Sequence, residues 1–174
     1  VWQWDQPKPV VAAYSAAAHF LEDGRVTGDL YPQSSSLWAV HFAKSDGSSV
    51  VALWSEQGQR GQIVLPAEGF AAYDYLGRAI GETRDGKLTL PLAPWETRFL
   101  VSARPEAEVK RAFAQATFPG MTALQINPRS FTVPLDRRPA LRVKVRNVLP
   151  VTVDATLDVV PPADFTLATT QAQL

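Results

Sequence analysis

Apolar residues recur at helical spacing near the start of the chain. Over residues 10–21, Val10, Tyr14, Ala17, Ala18 and Leu21 share one side, and Val11 and Phe20 widen the apolar arc. Pro7 and Pro9 stand just ahead, where a missing N–H does no harm to a helix start. Gly24 is the expected C-terminal stop. From there the period falls to two. The pattern predicts short strands over 25–31, 37–43, 50–54, 62–65, 70–75, 87–92 and 96–102. Over 37–43, Trp38, Val40 and Phe42 form the more hydrophobic face and are expected inside. The stretch 50–54 is apolar on both faces, as a central strand should be, so its inward face stays open. Over 87–92 the alternation is clean, with Leu88, Leu90 and Leu92 together. Asp46-Gly47 and Asp85-Gly86 read as tight hairpin turns. The candidate core is Trp38, Val40, Phe42, Val51, Leu53, Leu88, Leu90 and Phe99.

A short helix is expected over 105–116. Glu106 and Glu108 suit the dipole of its first turn, and Val109 and Phe113, four apart, are placed to cover the sandwich. Pro119-Gly120 marks a boundary. Strands are then expected over 123–126, 130–133, 140–148 and 151–160. Leu141, Val143 and Val145 alternate with Arg142, Lys144 and Arg146; Val151, Val153, Ala155, Leu157 and Val159 are expected to match them on the next strand, with Asp154 and Asp158 facing the basic side chains. An immunoglobulin-like sandwich needs about seven strands, so this segment reads as the front half of one. The expected fold is mainly β: one antiparallel β-sandwich preceded by a helix and followed by a partial immunoglobulin-like β segment. The expected divisions are 1–24, a helix; 25–104, the sandwich; 105–120, a helical linker; and 121–174, the partial second domain.

Composition narrows the chemistry. The 174 residues carry 17 basic and 17 acidic side chains, which argues against a nucleic-acid partner. No window reaches the roughly 20 apolar residues of a membrane span, so no membrane partner is expected. The lack of cysteine excludes disulfides, thiolate metal sites and a cysteine nucleophile. His19 and His41 are the two histidines; both read as structural or surface residues, and no metal or cofactor is expected. Asp46, Asp74 and Asp85 each precede a glycine within three residues, which is turn chemistry rather than acid–base catalysis. No nucleophile elbow or phosphate loop occurs, and no catalytic set emerges.

The five tryptophans remain. Flat indole faces stack on sugar rings, and exposed aromatics suit carbohydrate binding. Trp38 and Trp54 lie inside apolar strands and read as core. Trp95, after Ala93-Pro94, is the best exposed candidate; Trp2 and Trp4 belong either to a cleft or to a domain interface. Trp2, Trp4 and Trp95 are thus the candidate carbohydrate-binding residues. Val1 begins the chain without a signal-like region, and two indoles stand near the terminus. The favoured reading is an interior piece of a longer protein, with a mature chain after signal removal as the alternative.

Four stretches in order carry a resemblance: KPVVAAYSAAAHFL over 8–21, VVALWS over 50–55, FAAYDYLGR over 70–78 and GKLTLPLAPWETRFL over 86–100. The Asp74-x-x-Gly77 turn and the Leu88/Leu90 hairpin ending in Pro94 are its most telling parts. Together they resemble the tail of (β/α)8-barrel glycoside hydrolases that carry a β-sandwich after the barrel, over about residues 7–103. The final segment is similar to immunoglobulin-like modules appended to secreted carbohydrate enzymes. The family's catalytic glutamates lie on barrel strands that this chain does not contain, so no catalytic residue carries over. The resemblance implies an accessory region that braces the catalytic barrel of the same parent protein and helps wall its substrate cleft. It also implies an extracytoplasmic or secreted bacterial setting. The alternatives are a carbohydrate-binding module that holds polysaccharide through exposed aromatics, and a cell-surface interaction domain.

Overall fold

A computed structural model describes residues 2–3, 6–7, 9–56, 59–127, 143–160 and 171–173, with side chains described for 9–56, 59–127 and 143–160. Strands β1 (Trp2–Gln3) and β2 (Gln6–Pro7) pair ahead of helix α1 (Pro9–Leu21). Then come β3 (Arg25–Asp29), β4 (Leu37–Ala43), β5 (Ser49–Ser55), β6 (Gly61–Pro66), β7 (Phe70–Asp74), β8 (Glu82–Arg84), β9 (Lys87–Leu92) and β10 (Arg98–Ser102). Helix α2 (Glu106–Ala114) follows, then β11 (Leu124–Asn127), β12 (Lys144–Asn147), β13 (Thr156–Asp158) and β14 (Gln171–Gln173). The chain is therefore mainly β, with antiparallel sheets and a leading helix, as its periodicity predicts.

Five strands form one sheet in the order β3-β4-β5-β10-β7, and three form a second, β6-β9-β8. The inner face of the larger sheet presents Leu37, Ala39, Val51, Leu53, Ala72 and Leu100. These share one buried cluster with Ile63, Leu65, Leu88, Leu90 and Leu92 of the smaller sheet. Each such aliphatic side chain contributes roughly 1.5–3 kcal/mol by leaving water. Helix α2 extends this cover, for Val109 and Phe113 belong to the same cluster. Tyr31 ties it down: its hydroxyl donates to the Phe113 carbonyl at 2.8 Å. Burial first, and the Asp29 charge second, push that hydroxyl above the ordinary tyrosine range.

The outer face of the five-stranded sheet packs on α1. Ala16 and Phe20 form a second buried cluster with Val50, Ala52 and Phe99. Two layers on opposite sides explain why β5 is apolar on both faces. They also correct the expectation for β4. Leu37, Ala39 and His41 point into the sandwich, while Trp38, Val40 and Phe42 lie on the outer face. Phe99 is buried as expected, but under α1 rather than between the sheets.

The turns follow their residues. Asp85 and Gly86 have φ of 49° and 71°, the left-handed pair of a type I′ hairpin, and Arg84 opposes Lys87. At the end of α1 the left-handed residue is Asp23 (φ 56°), not Gly24. Gly24 answers a close approach instead, since a Cβ there would meet the Leu21 carbonyl at 3.0 Å and Phe42 Cβ at 3.3 Å.

Beyond α2, the chain runs antiparallel beside β6 (Val64 bridges Thr117) and docks through Gln59, whose amide bonds both the N–H and the carbonyl of Thr122. β11 pairs with β12, and β13 with β14. The expected pairing of the 140–148 and 151–160 stretches is thus replaced: among the described residues, β12 opposes β11, and Leu157 opposes Ala172. The expected strand over 130–133 lies outside the described residues. Leu149 and Val148 are buried, and Ser34 Oγ donates to the Val148 carbonyl at 2.7 Å, fastening this segment to the sandwich.

Candidate functional site

Antiparallel pairing of β4 and β5 sets Trp38 directly opposite Trp54. Strand alternation turns both to the outer face. Their rings stack with centroids 6.1 Å apart and planes 10° apart. Trp38 keeps 36% of its surface in water. The pair stands one residue from the end of both strands, because Leu37 opposes Ser55.

The β9–β10 connection arrives at the same end. Ser55 bridges Pro94, and the Trp95 N–H donates to the Ser55 carbonyl at 2.9 Å. Glu96 N–H donates back to the Ala93 carbonyl at 3.2 Å, closing a four-residue turn. Pro94 occupies its second position and Trp95, with φ 63°, its third. That is the signature of a type II turn, whose third position favours glycine or asparagine. A tryptophan there strains the backbone by roughly 1–2 kcal/mol. From below, buried Arg98 holds the turn. Its guanidinium pairs with Glu96 at 2.7 Å, and its Nε donates to the Pro91 carbonyl at 3.1 Å. The result is an indole 63% exposed on a stiff turn.

Helix α1 adds a second surface. Opposite buried Ala16 and Phe20, Val10 is 61% and Tyr14 is 78% exposed. Between the helix and the turn after β7 lies an open groove of about 450 Å³, lined in part by Ser15, His19, Tyr73 and Leu76. Asp74 shapes that turn. It is buried and accepts from Leu76 N–H, from Arg78 N–H and from Arg78 Nε at 2.7 Å. Burial alone would raise its carboxyl, but the Arg78 and Leu76 hydrogen bonds and the Arg78 charge together hold it below the usual carboxylate range. Asp46 is likewise a turn residue, accepting from Ser48 N–H and Ser48 Oγ. These carboxylates serve turns, as their glycine spacing predicts.

Of the three residues singled out from sequence, Trp95 is an exposed tip. Trp2 pairs by its backbone with Pro7 in β1 and β2, and its side chain lies outside the described set. Trp4 lies outside the described residues. Of the two tryptophans read as core, Trp54 packs against the cluster under α1, whereas Trp38 is exposed and stacks on it at the strand end that the Trp95 turn also reaches. The missed signal was the cross-strand register, which no single strand carries. Among the described residues no group of three or more histidine, cysteine, aspartate or glutamate side chains gathers to hold a metal ion. Nor, among them, is any helix long and apolar enough to cross a membrane. No protein-family model matches the chain, and a search of curated proteins finds no match.

Proposed function

We propose that this chain is a non-catalytic accessory β-sandwich region of a glycoside hydrolase, bracing a catalytic (β/α)8 barrel of the same parent protein and helping to wall its cleft. The carrying observation is the divided helix α1. One side closes the sheet through Ala16 and Phe20, while Val10 and Tyr14 stay open on the other. An amphipathic helix serving one sheet needs one apolar stripe; a second stripe suits a second neighbour. The barrel is that neighbour in this reading, and residues 121–174 contribute part of an immunoglobulin-like module in an extracytoplasmic enzyme. The coding sequence is the direct test. A (β/α)8 barrel encoded just ahead of this region supports the proposal, and an unrelated domain there overturns it. The chain alone should give only background turnover on a panel of aryl glycosides and polysaccharides. Turnover abolished by changing one Asp or Glu of this chain would contradict the proposal.

The Trp95 turn favours a second reading, a carbohydrate-binding surface. A strained backbone that holds a large exposed ring is the kind of outlier that binding sites carry. Affinity electrophoresis in polysaccharide gels separates the two readings. Retardation that is lost in Trp95→Ala favours sugar binding, and unchanged migration in every gel leaves the bracing role.

A further inference from the structure

The β3 edge carries a bulge between Val26 and Gly28, so Thr27 has no opposite residue on β4. Bulges re-aim side chains, and Thr27 Oγ1 lies 2.6 Å from Nδ1 of His41. Thr27 also hydrogen-bonds the Glu106 carboxylate in the first turn of α2, and Glu106 pairs with Lys110 at 2.5 Å. His41 is fully buried, and among the described residues its Nε2 has no hydrogen-bond partner.

Proton counting assigns the direction of this chain. A threonine hydroxyl has one hydrogen, and the ionised Glu106 carboxylate only accepts. Thr27 therefore donates to Glu106 and accepts from the His41 Nδ1–H. The imidazole is neutral, and its bare Nε2 lone pair faces the interior. Adding a proton at Nε2 would create a buried donor with no acceptor, which costs about 1–3 kcal/mol in addition to burying the charge.

We propose that the His41–Thr27–Glu106 chain is an acid-sensitive latch: it joins the β3 edge to the start of α2, and protonation of His41 releases both from the sandwich. Among the described residues, the groups facing His41 are few. From α2 come Glu106, which favours the charged ring, and Lys110, which opposes it. Thr27 comes from β3, and Val51 stands opposite on β5. Asp29, also on β3, is turned to the N–H groups of Tyr31 and Ala39. Burial is the largest influence and lowers the ring's proton affinity, with Glu106 countering and Lys110 adding. The unfolded chain thus binds a proton more readily than the folded one. Stability from this source is complete above the ordinary histidine value of about 6.5 and is lost as pH falls below it.

Ring-nitrogen NMR offers a direct test, because exposed His19 is the only other histidine. His41 should be the neutral Nδ1–H form and stay unprotonated at the ordinary histidine value of about 6.5. Hydrogen-exchange protection over 25–29 and 106–114 should fall about tenfold for each pH unit below the ordinary histidine value, until His41 itself titrates. Protection over 87–92 should fall less. His41→Asn keeps a donor toward Thr27 but cannot be protonated in this range, so that fall should vanish. If His41→Asn does not fold, Thr27→Val provides the second arm: β3 and α2 should then lose protection separately rather than together. An ordinary titration of His41, an Nε2–H tautomer, or equal loss of protection across all strands would overturn the latch.

Discussion

The two faces of the five-stranded sheet are made by the same strands yet differ in chemistry. The inner face is aliphatic and dry: Leu37, Val51, Leu53 and Leu100 meet Ile63, Leu65, Leu88 and Leu90. The outer face is aromatic and half open, with Phe99 buried, Phe42, Trp54 and Tyr73 partly so, and Trp38 at the margin. The difference lies in the cover. Strands roughly 4.8 Å apart make five of them about 19 Å wide. A second sheet and α2 together span the inner face. A single helix is about 10 Å across with its side chains, so α1 covers Val50, Ala52 and Phe99 and leaves open the end of β4 and β5 where Trp38 and Trp54 stand. Aromatic rings suit such a margin, for they bury much area while keeping an edge in water. Phe20 exploits this, lying 4.8 Å from the Tyr73 ring and 4.9 Å from Phe99 by centroids.

Truncation should separate the faces by size of loss. Leu90→Ala opens a sealed cavity and should destabilise the protein by about 2–5 kcal/mol. Denaturant unfolding measures it, and a loss under about 0.5 kcal/mol would mean that the β8–β9 hairpin does not face a packed core. Phe20→Ala removes a larger ring but from a layer that borders solvent and can resettle. Its cost should be smaller, about 1–3 kcal/mol. A Phe20→Ala loss exceeding that of Leu90→Ala would mean that the outer layer is sealed as tightly as the inner one. Trp38→Ala, at the rim of the outer face, should cost about 0.5–1.5 kcal/mol, chiefly the ring pair with Trp54.

Legibility in the sequence followed the same contrast. In β9, Lys87, Thr89 and Pro91 alternate with three leucines, so a polar face announces the buried one. In β4 both faces are apolar, and the bulkier set is the one turned outward. Ranking by hydrophobicity favours Trp38, Val40 and Phe42, but Ala39 and His41 occupy the inner positions. His41 looked like an interruption because its partner, Thr27, reaches it only through a bulge, which leaves no mark in one strand's pattern. The helix α1 was readable in extent and in its excess of apolar surface. Exposed Trp95 was readable from its place after a proline. Its neighbours Trp38 and Trp54 were not, since their meeting depends on the pairing of two strands.

The smallest expected effect has the opposite sign and bears on the open margin. Trp95 sits at φ 63° in a turn position made for glycine. Little of its ring is buried, so its removal forfeits little apolar burial. Trp95→Gly should therefore relieve backbone strain, at the cost of a more flexible unfolded chain. The balance should leave the protein unchanged or more stable by up to about 1 kcal/mol. The Trp95 N–H bond to Ser55 and the Arg98–Glu96 pair need no indole and should survive. Trp95→Ala keeps the strain and supplies the control: it should be less stable than Trp95→Gly by about 1 kcal/mol. Thermal and denaturant unfolding of the two variants side by side decide the matter. If Trp95→Gly is the less stable of the pair, the turn is not strained, and the exposed ring no longer signals a residue kept for a partner rather than for the fold.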